Sequence, residues 1–97
     1  MTKTVEVNTL ETAIEYIFPN FEGMDEYFKQ SEDDFSGFCQ SQLSGGIGMQ
    51  IRNNLGLWNK EGLLHKHFKE VHGIDHADDM SDMIIRGIYK KWNKTST

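Results

Sequence analysis

The stretch Gly45–Trp58, GGIGMQIRNNLGLW, decides how this chain folds. Read as one helix, Ile47, Ile51 and Leu55 continue a stripe from Leu43 at four-residue steps. Gly45, Gly48, Met49 and Arg52 would then share another face. Three glycines inside a helix would cost about 1 kcal/mol each relative to alanine, so a close approach by a neighbouring element would have to offset them. A bend at Gly45-Gly46 removes most of that cost. The reading adopted is therefore a bend at the paired glycines, a helix from Ile47 to about Asn54, and an end at Gly56 in the left-handed conformation. A phosphate-binding loop does not fit, because GGIG lacks the P-loop lysine and no strand precedes it.

Upstream, Asn8 stands three places before Glu11, the spacing of a capping box, and Leu10, Ala13, Ile14 and Ile17 follow at helical intervals. Pro19 ends that helix, predicted over 9–18, because proline cannot donate the next hydrogen bond. Phe21, Met24, Tyr27 and Phe28 form a short helical stripe weakened by Gly23. Ser31 followed by Glu32, Asp33 and Asp34 reads as an N-cap with acids in the first turn. Phe35, Phe38, Cys39, Gln42 and Leu43 continue that helix, with Cys39 as a small core residue. Its acidic neighbourhood is the opposite of what stabilises a reactive thiolate.

Downstream, a helix opening at Asn59 or Lys60 carries a stripe of Leu63, Leu64, His67, Phe68 and Val71 and closes at Gly73. His65 and His67 are two residues apart and point in different directions on a helix, so they cannot chelate one metal. The carboxylates of Asp75, Asp78 and Asp79 mark a helix start. Met80, Ile84, Gly87, Ile88, Lys91 and Trp92 face inward along the last helix, with Met83 flanking them. The whole reads as an all-α chain, a single compact bundle of about five short helices over 1–97, with 1–7 and 93–97 flexible.

Composition narrows the function. The 97 residues carry a net charge of −5. Residues 1–40 hold nine acids against two bases, and residues 41–97 eight bases against six acids. Phosphate affinity depends on Lys and Arg displacing counterions, so nucleic acid is not an expected partner. Arg86, Lys90, Lys91 and Lys94 are the one candidate basic strip, and they read first as cations suited to a helix C-terminus. A single cysteine gives no disulfide framework and fits a reducing, cytoplasmic setting. No apolar run approaches the roughly 20 residues of a membrane span. No metal site or cofactor is expected.

The motifs IRNNLGLW and HADDMS resemble those of a small family of uncharacterised bacterial and phage proteins, a domain of unknown function. In that family a Gly-rich IRNN-x-GLW segment precedes HPDDMS and an Ile/Leu-rich last helix. The matching residues here are Gly48, Ile51, Arg52, Asn53, Asn54, Gly56, Leu57 and Trp58, then Phe68, Gly73, Ile74, His76, Asp78, Asp79, Met80, Ser81, Ile84 and Ile85. Ala77 stands where the family tends to have proline, and alanine suits the first helical turn as well. The resemblance covers roughly residues 31–92. It implies a helical fold and cytosolic life, and no activity.

Arg52 is the residue to explain, since a guanidinium among apolar neighbours needs an acceptor. One reading makes it a clasp onto Asp78 or Asp79, with Asn53 and Asn54 bonding the turn before Trp58. Another makes Arg52, Asn53, Trp58 and His76 a binding patch, because Arg and Trp are enriched at interface hot spots. A catalytic reading uses His76, Asp78, Asp79 and Ser81, with Arg52 beside them. The reading adopted is a small protein-binding or regulatory protein, in its narrowest form a phage-type inhibitor. It would work through an acidic face of Glu22, Asp25, Glu26, Glu32, Asp33 and Asp34, with a homodimer compatible with the sequence. The alternative is a small enzyme or ligand-binding domain.

Overall fold

A computed structural model of the chain describes residues 7–41 and 44–95. Five α-helices follow one another there: α1 (Leu10–Ile17), α2 (Glu32–Gln40), α3 (Ile47–Asn54), α4 (Leu63–His72) and α5 (Ala77–Thr95). There is no strand among the described residues. Two 3₁₀ segments, Phe18–Phe21 and Asp25–Lys29, join α1 to α2. Pro19 sits in the first of them, so α1 ends where the ring forbids another helical bond. The stripe over residues 21–30 amounts to the second 3₁₀ segment, because Gly23 (φ 87°) turns the chain just before it.

The α1 cap lies one residue later than the spacing of Asn8 and Glu11 implied. Thr9 is the N-cap and Thr12 its partner: Thr12 N–H donates to Thr9 Oγ1 at 3.2 Å and Thr9 N–H to Thr12 Oγ1 at 3.0 Å. Val7 packs against the core and α5 runs on through Thr95, where the sequence reading had flexible ends at 1–7 and 93–97. Residues 1–6, 96 and 97 lie outside the described residues, as do Gln42 and Leu43, which were expected to extend the α2 stripe.

α5 is the axis. Its Met80, Ile84, Ile85 and Ile88 are fully buried, and α1, α2 and α3 all pack on it. Gly87 lets α1 approach closely, since a Cβ there would stand 2.3 Å from Ile14 Cδ1. Towards the C-terminal half, aromatic rings fill the core: Phe28 stacks on Trp92 at 4.3 Å and on Phe35 at 4.6 Å. Tyr89 donates its hydroxyl to the Gln30 carbonyl at 2.6 Å, pinning the loop before α2.

α4 differs from the expected stripe. It opens at Leu63 rather than near Asn59, and it buries Leu64, His65 and Phe68. Leu63 and Val71 are 69% and 64% exposed. The physical reason is His65, whose Nδ1 lies 2.8 Å from the Leu57 carbonyl and draws that edge of the helix inward. His67, expected on the inner stripe, is half-buried instead.

Candidate functional site

The site grows from the two ends of α3. Gly45 and Gly46 both adopt positive φ (80° and 84°), which swings the chain into the helix. Ser44 Oγ then accepts from Ile47 N–H at 3.2 Å, supplying a cap that the glycines cannot. At the far end Gly56 (φ 62°) closes a Schellman motif: Leu57 N–H reaches the Arg52 carbonyl at 3.0 Å and Gly56 N–H the Asn53 carbonyl at 3.3 Å. These two ends fix which way Arg52 points.

The Arg52 side chain is only 12% exposed and runs towards the N-terminus of α5. Its Nη1 donates to Gln40 Oε1 at 2.8 Å and to Ser81 Oγ at 3.0 Å. Gln40 Nε2 in turn donates to Ser81 Oγ and to the Asp78 carbonyl, each at 3.0 Å. Ser81 spends its own proton on that same carbonyl at 2.9 Å. The knot therefore joins α2, α3 and α5. Asp78 Oδ1 lies 3.4 Å from Arg52 Nε, an ion pair without hydrogen-bond alignment, so Nε is buried with no hydrogen-bond partner among the described residues. The Asp78 carboxylate is 74% exposed, and solvent screening keeps that pair weak.

Gly48 makes the knot sterically feasible. A Cβ at Gly48 would stand 2.0 Å from Gln40 Oε1 and 3.2 Å from Arg52 Nη1. This close approach offsets the helix cost of a glycine inside α3.

Trp58 lies beside the same guanidinium. Arg52 Cζ is 5.8 Å from the centroid of its ring, and its Nε1 donates to Asn53 Oδ1 at 3.1 Å. The indole is nevertheless 59% exposed. On the α5 side, Gln40, Arg52, Asp78, Asp79 and Asp82 line an open groove of about 450 Å³. Asp79 is exposed and makes no bond to Arg52.

Beside this groove lies a second arginine, read in the sequence as part of a basic strip. Arg86 Nη1 donates to Asp33 Oδ1 at 2.7 Å and Glu32 Oε2 at 3.0 Å, and its Nε donates to Asp82 Oδ2 at 3.0 Å. Hydrogen bonds to Asp33, Asp82 and Glu32 raise its basicity above the ordinary guanidinium value. Asp82 also accepts from Ser36 Oγ, tying α2 to α5 a second time. Lys90 lies 3.9 Å from Glu32, and Lys91 Nζ sits 5.2 Å over the Phe18 ring.

The residues proposed from sequence thus separate into groups. Arg52, Asn53 and Trp58 come together, and Asp78 joins them through Arg52. His76 is exposed and lies 3.6 Å from Asp75. Asn54 is exposed and faces a different cavity. Of the acidic residues, Glu32 and Asp33 are held by Arg86 and Glu26 by Lys29 at 3.2 Å. Glu22, Asp25 and Asp34 are exposed, with no ion pair among the described residues.

For the catalytic reading, Ser81 is fully buried with its hydroxyl bonded to Gln40, Arg52 and the Asp78 carbonyl, and His76 is not among its hydrogen-bond partners in the described residues. Cys39 is fully buried, and burial pushes its thiol up to about 12. No group of three or more His, Cys, Asp or Glu that could hold a metal occurs among the described residues. None of the described helices is long and apolar enough to cross a membrane.

The sequence reading overlooked Gln40 and the Arg86 link. The i, i+4 spacing of Asp82 and Arg86 was the available signal for the latter. Nothing local marks Gln40, whose partners lie 12 to 41 residues away.

Neither the curated proteins nor the solved structures returned a match to this chain. A family model described as "Domain of unknown function (DUF6794)" matches residues 8–92, an interval that takes in the α3 knot, the groove and all of the core, and the chain belongs to that family.

Proposed function

We propose that this chain is a protein-binding module that receives a cationic segment of a partner protein where Trp58 meets the groove of Asp78, Asp79 and Asp82. The observation carrying this reading is the exposed indole beside the Arg52 guanidinium, with the same arginine also lining a carboxylate-rich groove. An aromatic whose N–H is already bonded to Asn53 loses little freedom on binding, which suits a hot-spot anchor. Five carboxylates (Glu32, Asp33, Asp78, Asp79, Asp82) surround two guanidinium groups (Arg52, Arg86), so this surface carries a net −3 before Lys90 is counted. Such a field attracts Lys and Arg side chains and speeds their encounter.

Met49, one helical turn before Asn53, is 58% exposed and extends the apolar part of the surface. The exposed acids Glu22, Asp25 and Asp34 add to the long-range attraction. A cytoplasmic regulator or phage-type inhibitor is the narrower form of this reading, and it rests on the motif resemblance. The enzyme alternative, built on His76, Asp78, Asp79 and Arg52, has less support because His76 stands beside Asp75 and does not line the groove that the other three share.

The test is a display selection of random peptides on the full chain, followed by titration of the selected peptides. Lys- or Arg-rich sequences should emerge, weaken as salt rises, and lose roughly tenfold or more in affinity to Trp58→Ala and to Asp79→Asn. Selected peptides that lack basic residues, or that bind both variants as well as the parent, would overturn the proposal.

A further inference from the structure

A second cavity shares no lining residue with the first and lies between the 3₁₀ turn after α1 and the side of α3 that carries Ile47 and Ile51. Its volume is about 230 Å³. Ile17, Phe21 and Ile51, all buried, contribute to an apolar floor, and three carboxamides, Asn20, Gln50 and Asn54, contribute to the rim. No described side chain lining it is charged, although 26% of the chain's residues are.

The rim amides have little to do within the fold. Asn20 and Asn54 are exposed and make no side-chain hydrogen bond among the described residues. Gln50 Nε2 donates to the Gly45 carbonyl at 3.3 Å, which orients the amide and leaves Oε1 as an acceptor. Asn54 is also the one residue of the IRNN run whose side chain has neither a core position nor a hydrogen bond among the described residues. Arg52 forms the knot, Asn53 holds Trp58, and Ile51 is core.

We propose that this cavity binds a small, neutral, planar ring with a mixed donor–acceptor edge, the chemistry of a free nucleobase. This goes beyond the protein-binding reading and does not depend on it. Three features select that class. The volume is below the roughly 300–1,000 Å³ of drug-sized sites, so the occupant is one or two fused rings. The apolar floor takes a ring, and each carboxamide presents a donor beside an acceptor, the pattern with which Asn and Gln read an adenine edge. The lining side chains carry no cation to neutralise a phosphate or carboxylate, which favours a free base over a nucleotide.

The test uses nuclear magnetic resonance on the full chain, following the side-chain NH₂ signals of Asn20, Gln50 and Asn54. Adenine and uracil are the probes, with toluene as an apolar control. At least one base should shift those signals saturably. The Asn20→Leu/Asn54→Leu double variant should bind it roughly tenfold more weakly, the loss expected for about two hydrogen bonds, while toluene binding is unchanged or stronger. If the double variant unfolds at a lower temperature, Asn54→Leu alone, at an exposed helix end, carries the comparison, with a roughly threefold loss expected. The proposal fails if neither base saturates, if the base shifts lie elsewhere, or if the leucine variants bind as tightly as the parent.

Discussion

Gly48→Ala is the substitution whose outcome separates local from tertiary control in this protein. On helix propensity alone it should stabilise α3 by roughly 0.5–1 kcal/mol, because alanine loses less backbone entropy than glycine. The added Cβ, however, would stand 2.0 Å from Gln40 Oε1, so the carboxamide must swing away. That movement breaks a charge-assisted bond from Arg52, typically ~1.5–3 kcal/mol, and two neutral bonds from Gln40 Nε2 at ~0.5–1.5 kcal/mol each. Gln40 is half-buried, so water recovers part of the loss.

The net expectation is a destabilisation of about 1–2 kcal/mol, opposite in sign to the propensity effect. Urea unfolding of the parent, Gly48→Ala, Gln40→Ala and the double variant closes a cycle that isolates the clash. In the Gln40→Ala background the same Gly48→Ala change should become neutral or stabilising, once Arg52 Nη1 gives by a few tenths of an ångström at its 3.2 Å contact. A loss of equal size in both backgrounds would falsify the role assigned to Gly48.

Other outcomes follow from the same geometry. Arg52→Met should lower stability by about 1–3 kcal/mol, since Gln40 and Ser81 lose their donor, and unchanged thermal unfolding would remove the clasp from the account. Gly87→Ala should cost about 1–3 kcal/mol by overpacking against Ile14, and Ile14→Ala should remove most of that penalty, as denaturant unfolding of both backgrounds will show. Cys39 gives a pH signature. Its thiol ionises in the unfolded chain near its ordinary 9.0 but stays protonated in the folded protein up to about 12. The unfolded state therefore binds fewer protons across that window, and stability falls as pH rises by up to roughly 1.4 kcal/mol per unit. The Cys39 contribution is read as the difference in slope between the parent and Cys39→Ala over that window, and equal slopes would refute it. The native thiol should also resist aromatic disulfide reagents at pH 8.

The local elements were legible in the sequence because their causes are local. Ser31 with its acids, Pro19, the Gly45-Gly46 pair and Gly56 act within one turn of where they stand, and they placed the start of α2, the end of α1 and both ends of α3, while α2 itself stops at Gln40, short of the stripe expected through Leu43. The α1 cap was misplaced by one residue because Asn8 and Thr9 both carry capping oxygens, and only the hydroxyl of Thr12 decides between them. The inner face of α4 was not legible. His65 lies inside because the Leu57 carbonyl, freed by the turn after α3, needs a partner eight residues on.

The site divides the same way. That Arg52 needed an acceptor could be argued from its apolar neighbours, but which acceptor could not. Gln40 and Ser81 reach it from 12 and 29 residues away, and Asp78 adds only a screened, poorly aligned contact. Arg86 looked like a surface cation because its carboxylates Glu32 and Asp33 lie more than fifty residues upstream. Periodicity and caps specify helices through bonds that span three or four residues. Partners for a buried charge are chosen by how the finished helices stack, and no local pattern records that choice.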